Sequence, residues 1–429
     1  LLHLLVQCGF NVVAGHLHHG QREEAEAEME QCARFAEALN VPFVSGRADV
    51  PRMARELKIG LEEAGRNARY AFFHQAASQT DCSLIATAHT RTDQAETVLL
   101  NLIRGTGMAG LSGMPEVRDG IIRPLLSFTR AETQAYCREH GLWTHDDPAN
   151  TDPAHSRSRI RVQVSPQLAQ INPAFEANIV RSAAILREED AFLNGVAASA
   201  LEQAEAPLNG DLNFLTRHVE IAFDRRVLDS LPTVLFKRAA RLATTALGGD
   251  LTFDQTMALA NGYASELQGS VTAEGGKVVL EWTADRLHVR QLSPTEPFRY
   301  PLTVPGETES LEFGWRFTAH TDPAPEERVR ASLRAHLDPA KVMGSLYFRT
   351  ASTGDTIQPL GFGGTRKISD LLGEAKLTSA ARARLPIVCD LVGPLWVPGI
   401  CLGERAAAEP GQTDALSVRL QPTTNSTEA

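Results

Sequence analysis

Residues 83–105 read Ser-Leu-Ile-Ala-Thr-Ala-His-Thr-Arg-Thr-Asp-Gln-Ala-Glu-Thr-Val-Leu-Leu-Asn-Leu-Ile-Arg-Gly. The first four residues have the short apolar make-up of a buried strand. Residues 93–103 carry the apolar spacing of a helix, and Gly105 is placed to cap its end. The spacing therefore predicts strand, tight polar turn, helix. The turn holds His89 and Asp93 where a ligand would lie against a strand end and a helix N-terminus. In isolation an acid in a first helical turn often only answers the helix dipole, and a His after a strand often only closes a loop.

The pattern repeats on either side. Residues 11–15 are short, apolar and partly β-branched, and Met29, Cys32, Ala33, Ala36 and Leu39 then mark one stripe of a helix. Residues 41–44 read as a second strand and 61–78 as a second helix. Such alternation predicts an α/β fold with a doubly wound parallel sheet, which binds ligands at the carboxyl ends of its strands. From residue 174 the chain turns mainly helical, to about residue 260. Residues 277–280 and 286–289 then read as strands. The Pro-rich acidic stretch 321–327 is the best linker candidate, and a Gly-rich segment beyond it reads as a small α+β domain. The expected domains are 1–173, 174–300 and 330–421, with a disordered polar tail at 422–429.

A chain of 429 residues with 43% hydrophobic content suits two or three globular domains. No apolar run approaches the roughly 18 residues of a membrane span, so no membrane partner is expected and the cytoplasm is the expected compartment. The six cysteines form no C-x-x-C pair, which argues against disulfides and structural zinc. A net charge of −10 excludes a chain that coats nucleic acid indiscriminately, leaving local basic patches to meet any such partner.

Further clusters carry chemistry. His16, His18 and His19 follow the first strand. They support no metal site on spacing, but their position suits contacts to a nucleotide base and ribose. Arg66 and Arg69 lie three apart on one helix face. That fits either a solvated ion-pair face with Glu62 or a phosphate site. Between residues 155 and 187 there are five arginines and one acid, Glu176, a local reversal of sign that suits a phosphate backbone. Arg157, Arg159 and Arg161 lead it. Arg366, Lys367 and Arg384 flank the glycine-rich stretch 354–364, which is a set of tight turns or a close approach to a polyanion.

In this order the motifs resemble the tRNA(Ile)-lysidine synthetases of the PP-loop ATP pyrophosphatase superfamily. The matching pieces are His16-Leu17-His18-His19-Gly20, the G-x-E-x-x-x-R-x-x-R-Y form of residues 60–70, residues 88–97, and Arg104-Gly105-Thr106-Gly107 with Gly110 and Leu111. Arg123-Pro124-Leu125-Leu126, a D-x-x-N-x-D segment ending at Asp152, and a G-D-x-I-x-P block at 354–359 complete them. The resemblance implies a PP-loop ATPase-like catalytic domain followed by a tRNA-binding helical domain and a tRNA-binding C-terminal domain. It implies ligation of L-lysine to C2 of the wobble cytidine of tRNA(Ile) with a CAU anticodon, through an adenylated intermediate, with ATP and Mg²⁺. Asp93 would handle the amine and His89 would neighbour it at the adenylation site. Arg66 and Arg69 would meet phosphate and substrate, and the basic groups named above would meet tRNA. Thr90 and Thr92 stand where many members have His and Asp, and Ser158 where they have Asn. The superfamily's S-G-G-x-D-S loop would fall just before Leu1, and activity is expected to need it. Another PP-loop tRNA-modifying enzyme and a non-catalytic tRNA-binding remnant remain alternatives, and a homodimer is left open.

Overall fold

The computed structural model describes residues 1–20, 25–144, 156–292 and 296–423. The D-x-x-N-x-D segment and the end of the tail, residues 424–429, lie outside them. Two compact units divide the chain, Leu1–Phe192 and Leu193–Ala429.

The first unit opens with α1 (Leu2–Gln7), β1 (Ala14–His18), α2 (Ala25–Ala38), β2 (Phe43–Arg47), α3 (Val50–Leu57) and α4 (Leu61–Gln79). β1 and β2 pair in parallel, Ala14 opposite Phe43 through His18 opposite Arg47, with α2 as the crossover between them. The first strand starts three residues later than its apolar run, because pairing begins where the Ala14 N–H donates to the Pro42 carbonyl. This brings His16 and His18 into the strand. α4 presents Ala64, Gly65 and Ala68 to Val50 and Ala54 of α3, so small residues allow close helix packing.

The quoted stretch folds as β3 (Ile85–Ala86) and α5 (Arg91–Ile103). Thr90 is the N-cap. Its side chain accepts from the Asp93 backbone while Asp93 reaches back to the Thr90 backbone, a reciprocal capping box that fixes where the helix starts. Arg104 is the C-cap, and Gly105 follows at φ +76°, a left-handed turn that favours glycine. After α6 (Met108–Leu111) come β4 (Val117–Arg118) and β5 (Ile121–Ile122). β5 pairs in parallel with β3 and antiparallel with β4. These parallel pairs with intervening helices form the α/β domain expected of the alternation. α7 (Arg130–Glu139), α8 (Ser156–Arg159), a π-helical turn (Ile160–Val164) and α9 (Ser165–Ile171) lead into the long α10 (Phe175–Ala204), within which the division between the units falls.

The second unit has two cores. One packs α11 (Arg225–Asp229), α12 (Thr233–Ala246) and α13 (Phe253–Ser265) against an antiparallel sheet. That sheet runs in the order β6 (Glu220–Asp224), β9 (Arg286–Gln291), β8 (Val278–Trp282), β7 (Gly269–Thr272). The other is aromatic, with Trp315, Phe317, Phe348 and Trp396 buried at its centre. It lies among β10 (Arg299–Pro301), β11 (Gly306–Ser310), β12 (Trp315–Thr321), β13 (Arg334–Leu337), β14 (Tyr347–Arg349), β17 (Ile387–Cys389), β18 (Pro394–Val397), β19 (Cys401–Leu402) and β20 (Leu416–Pro422). The hairpin β15 (Thr356–Ile357) and β16 (Arg366–Lys367), with α14 (Ile368–Glu374) and α15 (Ser379–Arg384), completes it.

The Pro-rich stretch is not a linker. The Asp322 and Ala324 N–H groups donate to the Ala415 and Gln412 carbonyls, and Ala324 is buried with Ala408 and Ala415. β10 pairs with β14 and β12 with β20, so this β-rich core begins near residue 298. Pro422 ends a paired strand, so the start of the expected tail is ordered. No described helix is long and apolar enough to cross a membrane.

Candidate active site

A cavity of about 1050 Å³ opens in the first unit beside the ends of β1 and β3 and the start of α5. His16, Arg69, His89, Asp93, Arg157 and Arg161 all line it. Elements far apart in sequence therefore bring six of the expected residues to one space.

His89 stands just past β3. Its Nδ1 lies 2.9 Å from the Thr87 hydroxyl, which fixes the ring. Burial, opposed by Asp93 but reinforced by the Arg123, Arg157 and Arg66 guanidiniums, pulls its pKa down to about 4. His89 is thus neutral at physiological pH, able to donate or accept but not to carry charge.

Asp93 divides its two oxygens. Oδ2 accepts from the Thr90 N–H at 2.9 Å and the Thr90 hydroxyl at 2.7 Å, and Oδ1 lies 3.3 Å from Arg161. The cap that starts the helix therefore also orients the carboxylate. Three residues on, Glu96 lies one helical turn deeper at 1% exposure. Arg161 grips it with two bonds, Nε to Oε1 at 2.6 Å and Nη2 to Oε2 at 2.8 Å. Burial raises the Glu96 pKa even against that partner, while the Glu96 bonds raise the Arg161 pKa. Arg161 offsets only part of the cost of burying the carboxylate.

The sequence had set Arg161 in a strip facing tRNA, but Glu96 turns it inward. Arg157 also turns in, donating to the Thr97 hydroxyl at 2.9 Å, while Arg159 is exposed. Arg69 reaches His19 Nε2 at 3.4 Å, and burial lowers the pKa of both groups. Arg66 lies over the Tyr70 ring at 4.8 Å, off the cavity lining. Of the three histidines only His16 lines the cavity. His18 accepts from the Gly20 N–H at 3.0 Å and sits 3.9 Å from Glu26.

In the second unit, Arg366 forms a two-pronged pair with Glu374, and Lys367 is exposed. Arg384 lies over the Phe313 ring and points at the Glu312 carbonyl 3.3 Å away, with burial lowering its pKa. Its contacts brace its own domain.

Glu96, Arg123 and Thr87 were not among the expected site residues, although Arg123 stands in one of the matching motifs. Glu96 had a signal, since Asp93 and Glu96 are three apart on one helix. Arg123 is buried and donates to the Pro115 carbonyl at 2.8 Å. Among the described residues the Nε atoms of Arg123 and Arg157 are buried with no hydrogen-bond partner; of the two only Arg157 lines the cavity, where it retains donor capacity for an anion.

The lining also carries an apolar wall, with Val12, Phe35, Phe43 and Phe73. Apolar surface beside unpartnered guanidinium donors fits a nucleoside triphosphate in kind. Among the described residues no group of three or more His, Cys, Asp or Glu could hold a metal, so a divalent cation here would take its ligands mainly from phosphate.

Two family models and several known proteins match this chain. Residues 1–168, which hold every cavity residue named, match the PP-loop domain family, and residues 346–420 match the TilS substrate C-terminal domain. The tRNA(Ile)-lysidine synthase of Dehalococcoides mccartyi is 31% identical over 97% of this chain and 90% of its own length. That of Symbiobacterium thermophilum is 31% identical over 95% and 87%, and that of Geobacter sulfurreducens 30% over 96% and 87%. Matches of this length and identity, spanning both the cavity and the β-rich C-terminal core, mean that the chain belongs to the tRNA(Ile)-lysidine synthase family.

Proposed function

We propose that this protein joins lysine to C2 of the wobble cytidine of tRNA(Ile) bearing a CAU anticodon, using ATP. The carrying observation is a cavity that combines Asp93, a neutral His89 and the Arg157 guanidinium with its unpartnered Nε, in a chain related over nearly its whole length to lysidine synthases.

The chemistry explains the residue types. A carbonyl-like oxygen at C2 is a poor leaving group, so it first attacks the α-phosphorus of ATP and pyrophosphate departs. The lysine ε-amine then attacks C2, forming the C–N bond as the C–O bond to AMP breaks, and the amine sheds a proton. Arg69 and Arg157, which line the cavity, would meet phosphate charge. Asp93 orients the amine or takes its proton, and Thr87 holds one nitrogen of His89 so that the other serves substrate. A neutral His89 adds no positive charge to repel the incoming amine. The exposed Arg159 and Lys367 face the tRNA backbone.

The test measures labelled lysine incorporated into a tRNA(Ile) transcript by the complete protein, with and without ATP. Incorporation should require ATP. Asp93→Asn should lower turnover at least about a hundredfold while tRNA binding stays within a few-fold. ATP-independent incorporation, or full turnover in the variant, would remove this mechanism.

A further inference from the structure

The loop joining β15 to β16 in the second unit, residues 358–365, carries an aromatic side chain that the fold does not use. Phe362 is 49% exposed, with Gly361 before it and Gly363 and Gly364 after it. A Cβ at Gly364 would lie 3.8 Å from the Phe362 ring, so the glycine there keeps the ring clear of a neighbouring side chain.

The loop is nevertheless pinned. Leu360 is buried and its N–H donates to the Leu402 carbonyl at 2.8 Å, and the Gly361 N–H donates to the Glu404 carboxylate at 2.6 Å. The Phe362 N–H donates to the Pro359 carbonyl at 2.9 Å, and Gln358 Nε2 donates to the Phe362 carbonyl at 3.2 Å. Gly361 sits at φ +74°, where a Cβ would come within 2.8 Å of the Arg330 guanidinium. The Arg330 cation therefore lies against the backbone directly before the exposed ring. Among the described residues neither Arg330 nor Lys367, at the far end of the loop, has a carboxylate partner, and both are exposed. Arg366 between them is held by Glu374.

An exposed ring on a fixed backbone, beside unpaired cations, combines an aromatic platform with charges for the adjoining phosphates. We infer that Phe362 stacks on an unpaired nucleobase of the bound tRNA, with Arg330 and Lys367 holding the flanking phosphodiesters. This rests on the tRNA reading above and names a contact of the C-terminal core, remote in sequence from the residues that do the chemistry. Stacking needs a π-face and tolerates any base, so the contact contributes affinity without selecting sequence. The uncompensated positive charge favours RNA over an apolar protein partner.

The experiment measures tRNA(Ile) binding by the full chain at fixed salt for wild type, Phe362→Ala, Phe362→Leu and Phe362→Trp. Because the side chain is exposed, all four should melt together. Alanine should weaken binding between about fivefold and a hundredfold. Leucine should not restore it, and tryptophan should. The tryptophan variant should also show fluorescence quenching on tRNA addition beyond that of wild type. Unchanged affinity in the alanine variant overturns the inference alone, as does full recovery by leucine, which would mean an apolar contact with something other than a base. A wild-type chain that binds tRNA no better than an unrelated acidic protein does overturns this inference and the proposed function together.

Discussion

Replacing Arg161 with alanine should expose how the site is held. Glu96 is 1% exposed and takes both guanidinium bonds of Arg161, so the variant strands a buried carboxylate. Removing one partner of a buried pair costs about 3–5 kcal/mol. The Arg161 side chain keeps 18% exposure, which favours the lower end, about 3 kcal/mol. For a unit of the size of Leu1–Phe192 this corresponds to a fall of about 6–12 °C in its melting transition. Burial already raises the Glu96 pKa with Arg161 present, and it rises further without it. A raised folded-state pKa stabilises below the unfolded value of about 4.3 and loses that stabilisation as pH climbs through the folded value. The deficit should therefore be small in acid and reach its full size by neutral pH. Calorimetry of the full chain between pH 5 and 8, beside the double variant Glu96→Gln with Arg161→Met, gives the answer. An equal deficit at every pH, or a double variant as unstable as Arg161→Ala, would refute the pairing argument.

His89 should stay neutral well into acid, so ring-nitrogen NMR should show no protonation at pH 6, and the pH profile of lysine transfer should lack a break near 6.5. Its depressed pKa of about 4 contributes stability above the ordinary histidine value that is lost as pH falls toward 4. His89→Gln should remove up to about 3 kcal/mol of that acid sensitivity, read from melting curves at pH 4 and 7. Arg384→Ala should lower the second unit's melting temperature and leave tRNA affinity within twofold, because its contacts are to Phe313 and backbone carbonyls. Lys367→Ala should do the reverse, weakening binding and reducing the slope of log affinity against log salt by about one.

The legible parts of this molecule were the locally encoded ones. The helix of α4 and the glycine turn at Gly105 each depend on residues within a few positions of one another, whereas the start of α5 was set two residues late because the capping box at Thr90 went unread. Strand limits were less legible, because pairing sets them. β1 starts at Ala14, where Phe43 lies opposite, not where its apolar run starts. Least legible was the inward turn of Arg161. Its partner Glu96 is 65 positions away, and an arginine-rich strip looks the same whether it meets phosphate or a buried acid. The Pro-rich stretch misled for the same reason, since only its contacts with residues 412 and 415 show that it edges a sheet.

Crowding a His, an Asp and a Glu into one strand-to-helix turn is therefore a solution to positioning. A catalytic carboxylate on a loose loop would sample many rotamers, and each would have to be frozen before reaction. Here the oxygen that closes the capping box cannot let go without freeing the first turn of α5, so the stability of the helix holds Asp93 in register. Arg161 ties the other oxygen to Glu96, and Glu96 is anchored in the core, so the carboxylate is referenced to the rigid interior as well as to the turn. His89, desolvated and within the electrostatic reach of Arg123, Arg157 and Arg66, stays uncharged, which on the proposed reading spares the incoming amine a competing cation. On the proposed reading an acidic protein keeps cations beside the phosphate and a carboxylate beside the amine, with the half-buried Arg161 bridging Asp93 and Glu96 one helical turn apart.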